Sequence, residues 1–258
     1  MKRYIPADRL SQAVRIAIVV EIAVALIAMV SSLLQVQLLM RAQAGLPISE
    51  TEGSLNDLRE MGVSWLAVVV TIVAGVLFLR YLGRASHNAQ VMGANDLSAS
   101  PGWTIGYFFV PVISLWKPYQ ITQEIWKASA PEAGSWRSQL GSSLVGWWWA
   151  FHLLDNFASQ IVMRLNLQNA MSEIPDLARL LNVTWLDFGV SLIDLVLCAL
   201  AFQLIRKLQA RQVARYERVG EAHDVVCRSC GESLGAEDAA TTTCPVCGAK
   251  LDVAPSLV

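Results

Sequence analysis

Four of the five cysteines stand in two short pairs near the C-terminus. They are Cys227-Arg-Ser-Cys230-Gly231 and Cys244-Pro-Val-Cys247-Gly248, with 13 residues between the pairs. A Cys-x-x-Cys turn aims two thiolates at one cation, and the glycine after it permits the positive φ through which backbone N–H groups approach sulfur. Two such turns make a tetrahedral S4 set, which suits zinc at about 2.3 Å per bond. With every position filled by sulfur there is no place for a reacting water. Cys227, Cys230, Cys244 and Cys247 are therefore expected to hold a structural Zn2+ in a small zinc ribbon over residues 227–252. The alternative, two disulfides in an exported domain, needs an oxidising compartment, against the charge distribution given below. Within the ribbon the basic residues are Arg228 and Lys250, and the acidic ones are Glu232, Glu237, Asp238 and Asp252. That balance repels phosphate, so the ribbon is expected to serve structure or a protein partner and not nucleic acid.

A second set of chemically capable groups lies inside long apolar stretches: Glu21, His152, Asp155, Asp187 and Asp194. An ionisable side chain at mid-bilayer costs about 2.5–3.5 kcal/mol on insertion scales, so such groups face one another or a cavity and not lipid. Smaller polar residues share their helical stripes: Ser32 and Gln35 with Glu21; Asn156, Ser159 and Gln160 with Asp155; Ser191 and Cys198 with Asp194. His152, Asp155 and Asp194 are expected to cluster near mid-membrane, with Glu21 nearer the cytosolic surface and Asp187 nearer the outside. Two readings stand side by side, interhelical packing through hydrogen bonds or a ladder of titratable groups that moves protons. Cys198 reads as a small buried apolar residue.

These groups need helices to position them. Hydrophobic residues make up 54% of the 258 residues and charged ones 16%, far fewer charges than the ~25% of a soluble domain. That excludes a disordered tail, a coiled-coil rod and an ordinary soluble enzyme. Four stretches have roughly the 20 residues a membrane helix needs: about 16–39, 63–79, 143–163 and 184–205. The first is too long for a signal peptide's apolar core and contains Glu21, so it reads as an uncleaved anchor. Of the 20 Lys and Arg, 16 fall before the first span, between spans two and three, or after span four; 4 fall in the other two loops. Basic residues stay inside, which puts both termini in the cytosol and the loop at Glu173–Asp176 outside. The segment 101–128, interrupted by Pro111 and Pro118, reads as re-entrant or interfacial, and Tyr119 to Ala128 as an amphipathic helix. The expected fold is an all-α membrane protein. Residues 1–206 form the four-span domain, 207–226 a basic juxtamembrane helix or linker, and 227–252 the ribbon. On the linker, Lys207, Arg211, Arg215 and Arg218 share one face, read as a solvated positive-inside stop.

The loop between spans two and three is dense in specific residues. Arg84-Ala85-Ser86-His87-Asn88 and Gly93 are followed by Ser100-Pro101-Gly102-Trp103, Phe109-Val110-Pro111, Trp116-Lys117-Pro118 and Glu124-Ile125-Trp126. Arg84, Asn88, Trp103, Lys117, Glu124 and Trp126 are the candidates for a cytosol-facing site, with an aromatic collar closed by a salt bridge as the plainer reading. In this order the motifs resemble a bacterial integral-membrane family called domain of unknown function 4328, most sharply over residues 80–130 and more weakly over about 10–207. The resemblance implies a multi-pass protein of the bacterial cytoplasmic membrane, bound to the lipid bilayer, and brings no activity with it. The ribbon is no part of that motif. No nucleophile arrangement, phosphate loop or His-Glu-x-x-His helix is visible, so the balance is against an enzyme. The leading expectation is a scaffold or sensor acting through its cytosolic loop and ribbon. The alternative is a small transporter or proton-coupled permease subunit using the intramembrane acids, and a membrane-embedded enzyme ranks third.

Overall fold

The computed structural model describes residues 4–94, 96–132, 135–172 and 176–223, and in the cysteine tail residues 227, 229–230, 243–244 and 246–250. Lys2, Arg3, most of the loop at Glu173, and the ribbon's Arg228 and acidic residues lie outside the described residues. Among the described residues there are six α-helices: α1 Asp8–Gln43, α2 Glu50–Val91, α3 Pro101–Gly106, α4 Lys117–Ala128, α5 Ser143–Ala170 and α6 Leu177–His223. Three of them, α1, α2 and α6, are long and apolar enough to cross a membrane. α5 has 28 residues, but His152, Asp155, Asn156, Ser159 and Gln160 interrupt its apolar run and it does not stand with those three.

Helix ends follow local chemistry. Ser49 Oγ accepts from the Glu52 N–H at 3.1 Å, a Ser-x-x-Glu start for α2. Asp176 Oδ1 accepts from the N–H groups of Ala178 and Arg179 at 2.9 and 3.2 Å and opens α6. Gly93, at φ +101°, ends α2 in a backbone region that glycine enters without penalty.

Pairs along the helices set their directions. Gln209 Nε2 donates to Asp8 Oδ1 at 3.1 Å and Ser32 Oγ to Asp187 Oδ2 at 3.4 Å, so α1 and α6 are antiparallel. Asn88 bonds Ile5 while Ser31 bonds Glu60, so α1 and α2 are antiparallel too. α5 runs back along α6, with Arg179 donating to Gln168. The bundle is thus α2–α1–α6–α5, packed through consecutive pairs.

Packing is uneven along its length. At the end where α1 begins, Tyr81, Leu82, Ile121, Ile125, Val145, Leu204, Ile205 and Leu208 are buried in one core. This end, completed by the described residues among 92–142, is the collar. Away from it, Val19, Ile27 and Val30 of α1, Trp65, Val69, Ile72 and Val76 of α2, and Leu186, Leu192 and Val196 of α6 are exposed. A continuous apolar surface of that extent suits lipid and not water.

Two sequence expectations gain detail. The 101–128 segment, read as re-entrant or interfacial with an amphipathic helix over Tyr119 to Ala128, has several elements. They are α3, a turn through Val112 at φ +67°, a single 3-10 turn at Ile113–Leu115, and α4. The apolar face of α4, Ile121, Ile125 and Trp126, is buried against the bundle. The basic stretch after span four is a helix, one of the two forms expected of it, and it is the continuation of α6, which runs unbroken to His223.

The N-terminal segment is strapped to the collar. Asn88, fully buried, donates from Nδ2 to Ile5 O at 2.9 Å, and its Oδ1 accepts from the Ile5 N–H at 3.1 Å. Tyr4 stacks on Tyr216 of α6 at 3.9 Å between ring centroids. Asn88→Leu removes both bonds and strands two backbone groups, at a cost of about 1–3 kcal/mol. We expect a lower thermal midpoint and faster proteolysis before Asp8; an unchanged midpoint and cleavage rate contradict the strap.

Candidate functional site

Beyond the collar core the four long helices separate around a cavity of about 390 Å³. α1 contributes Glu21, α2 Thr71 and Phe78, α5 Trp148, His152 and Asp155, and α6 Asp194 and Cys198; Phe108 and Phe109, which follow α3, also line it. Glu21, Asp194 and Cys198 present ligand-type atoms within 4.8 Å of one another. Cys198 Sγ donates to Asp194 Oδ1 at 3.7 Å, and Glu21 bonds Thr71. The His152 ring packs against Trp149 at 4.9 Å and Trp148 at 6.0 Å. Glu21 therefore sits level with Asp194 and not nearer the collar. α1 begins at Asp8, and its first turns belong to the collar, which shifts Glu21 to mid-bundle. Asn156, Ser159 and Gln160 are exposed, so the polar stripe of α5 is only half turned inward.

Asp187 is elsewhere. It accepts from Ser32 near a network in the opposite half of the bundle, which the sequence reading missed. Arg59 donates to Ser31 Oγ at 2.9 Å and Asn56 Oδ1 at 2.6 Å, and pairs with Glu60 at 3.0 Å. Asn56 Nδ2 donates to Gln35 Oε1 at 2.5 Å. The signal was present in the sequence, since Arg59 and Glu60 enter span two as the polar stripe of span one leaves.

The six loop candidates do not form one site. Arg84 donates to Pro6 O at 3.3 Å and Asn88 holds Ile5. Glu124 accepts from the Ser98 N–H at 2.8 Å, and Lys117 donates to Ser98 Oγ at 3.3 Å. Trp103 packs on Tyr107, and Trp126 lies under the Arg211 guanidinium at 4.7 Å. No ion pair joins Arg84 to Glu124. They are framework residues of the collar. Asp96, beside them, accepts from Trp136 Nε1 at 2.8 Å and pairs with Arg137 at 2.5 Å. The Trp136 bond and the Arg137 charge hold its carboxyl below the ordinary value.

The basic face of α6 is divided: Lys207 and Arg218 are exposed, whereas Arg211 and Arg215 lie against the collar. Arg215 donates to Ala130 O at 2.8 Å and Met92 O at 3.1 Å, and burial pulls its guanidinium below the ordinary arginine value. Gln212 Nε2 donates to Ala85 O at 2.8 Å and Ser129 Oγ at 3.2 Å. Helical spacing correctly placed Arg211 and Arg215 on one face but could not say that the collar lies against it.

Cys227, Cys230, Cys244 and Cys247 converge, with all four sulfurs within 4.8 Å of one another. Cys227 and Cys247 are 3.7 Å apart, and Cys230 and Cys244 3.8 Å. Disulfide sulfurs lie about 2.05 Å apart, whereas tetrahedral sulfurs around zinc lie about 3.8 Å apart for 2.3 Å bonds. In the second turn Gly248 has φ +69° and donates to Cys244 O at 2.8 Å. The N–H groups of Cys230 and Ser229, aimed at Cys227, bring its thiol down to about 7. A thiolate-favouring S4 set fits a metal ion.

On the collar side the cavity is lined by the half-buried Phe108 and the exposed Phe109. In a background with the four clustered cysteines changed to Ser, the remaining thiol of Cys198 is buried. There, with the full chain in nanodiscs, Phe108→Ala should raise its alkylation rate by a charged, membrane-impermeant maleimide about tenfold or more; an unchanged rate means that Phe108 does not shut the collar side.

A family model described as a domain of unknown function, DUF4328, matches residues 44–210. No curated protein and no solved structure matches the chain. The match takes in α2 to α5 and most of α6. It starts after α1, later than the residue 10 expected, and stops before the four cysteines. The matched region carries the collar motifs and the α2, α5 and α6 walls of the cavity, and the chain belongs to the DUF4328 family.

Proposed function

We propose that this protein is a sensor of the bacterial cytoplasmic membrane. The acidic cavity is its input, the collar its transmitter and the four-cysteine module its output. The observation that carries the reading is the double engagement of the collar. Its segment after α3 lines the cavity with Phe108 and Phe109. Its α4 and the turn beyond hold Arg211 and Arg215, on the stretch of α6 that leads to Cys227. A change at the cavity has a packed, hydrogen-bonded route to the tail.

In this reading α5 is the fourth span. Its 28 residues extend about 42 Å, and its antiparallel packing on α6 supports that role. Four spans put both termini on one side, and the 16-to-4 distribution of basic residues supports the cytosolic side. The metal of the four-cysteine set is structural zinc, since a full S4 shell leaves no reacting position. A module of that size buries too little core to fold alone, so the ion supplies its folding energy and the folded module meets a protein partner. A transporter is the second reading, favoured by the cavity that joins Glu21, Asp155 and Asp194. The buried core of Tyr81, Leu82, Leu204 and Leu208 at the collar end supports a closed receptor over a conduit.

Hydrogen exchange on the full chain in nanodiscs tests the relay. Asp194→Asn alters the cavity without touching the collar, and it should change protection in residues 207–219 by severalfold. Protection identical to the unaltered chain contradicts the sensor. Separately, protein purified without chelator should carry about one zinc per chain, and chelation should unfold the tail while bundle helicity stays. Absence of zinc ends the structural-zinc reading.

A further inference from the structure

Resting on the sensor reading, we propose that the intrabundle cavity binds an organic cation with an apolar body, such as an aryl- or alkylammonium, entering sideways from the bilayer.

The volume of about 390 Å³ falls in the range of small-molecule sites, roughly 300–1,000 Å³. Three carboxylates from three helices, Glu21, Asp155 and Asp194, line it, and no Lys or Arg does. Carboxylates in low dielectric without a counter-charge are costly. A bound cation offsets that cost, an anion adds to it, and a neutral ligand leaves it unchanged. His152, the one basic side chain there, stands with Thr71 and Asn156 beside them, and the remaining wall is largely apolar and aromatic. Phe78 and Trp148 pack on each other at 5.3 Å between centroids and line the cavity together with Phe108, an aromatic wall of the kind that attracts ammonium groups within about 6 Å. A bare metal ion would occupy the acidic side and leave most of a cavity of about 390 Å³ unfilled, so the cavity fits a charge that carries its own apolar volume.

Access follows from the packing. α2 is packed on α1, and α5 on α6, but α2 and α5 are not a packed pair. They meet at Phe78 and Trp148 near the collar. Beyond that contact Thr71 and Gly75 on one side and Asn156 on the other line the cavity and are exposed. The opening lies in the same zone as the apolar belt of Val69, Ile72 and Val76. A ligand that partitions into the bilayer reaches it without crossing water.

The probe is tritiated benzyltrimethylammonium, and the control is neopentylbenzene, the same shape without charge. With the full chain in nanodiscs, and binding to empty nanodiscs subtracted, binding of the cation should saturate. Excess unlabelled cation should displace it, and neopentylbenzene should do so at least tenfold less well. Asp155→Asn with Asp194→Asn, and separately Glu21→Gln, should weaken binding about tenfold or more. No saturable binding, equal displacement by the neutral isostere, binding undiminished in both variants, or a site that takes Zn2+ or Mn2+ but not the cation each overturns the proposal. The comparison of cation with isostere uses the unaltered chain, so it decides the matter even where a variant does not fold. If the cation fails to bind while Asp194→Asn still changes exchange in 207–219, the ligand class is wrong and the sensor stands. If the cation binds and exchange does not respond, the site stands and the sensor falls.

Discussion

The buried amide of Gln212 is the contact on which the collar depends. Its Nε2 is shared between Ala85 O of α2 and Ser129 Oγ at the end of α4, and none of the residue is exposed. A buried donor left without its acceptors costs about 1–3 kcal/mol, so α6 cannot tilt away from α2 and α4 without losing both. One turn to either side repeats the theme. Gln209 takes the Tyr81 hydroxyl and gives to Asp8, and Arg215 reaches Ala130 and Met92. Three successive turns of one helix thus tie down α1, α2 and the segment after α4. This continuity is why α6 leaves the bundle as one unbroken helix.

The tight collar explains the loose half. With the helices fixed at one end, nothing in the opposite half has to fill the centre with large side chains. Glu21, Asp155, Asp194 and Cys198 line a space there instead. The network of Arg59, Ser31, Asn56 and Glu60 then holds α1 to α2 on the other side of that space, and Asp187 with Ser32 holds α1 to α6. The cavity lies between the collar and this polar level, and among the described residues no polar clasp joins the facing α2 and α5.

Residue type and spacing made much of this legible. Two Cys-x-x-Cys-Gly turns announce an S4 set from the sequence alone because the chemistry is local to each turn, and the sulfur spacing of 3.7 and 3.8 Å has the size that such a set requires. The apolar runs of α1, α2 and α6 are equally local. What the sequence hid was which surface meets which. Arg211 and Arg215 share a face by arithmetic, but a solvated face and one laid on Trp126 and Ala130 have the same periodicity. α4 has the amphipathic pattern of a helix lying on a membrane, and Ile121 and Ile125 spend it on the bundle core. The depth of Glu21 was misjudged for the same reason: the apolar run marks where a helix could cross a membrane, not where it starts, and α1 starts at Asp8.

The central claim is mechanical: charge in the cavity and the position of the α6 extension are linked through the collar. Pulsed electron-paramagnetic distance measurement tests it most directly. Spin labels carried by unnatural amino acids at Leu140 and Glu217, both exposed, leave the cysteines untouched. The unaltered chain in nanodiscs should give one narrow distance distribution. Replacing Asp155 and Asp194 together by Asn should shift or broaden it, with a separate pair on α1 and α2 unchanged. Superimposable distributions before and after would mean that the cavity and the tail are independent, and the account would fail at its centre.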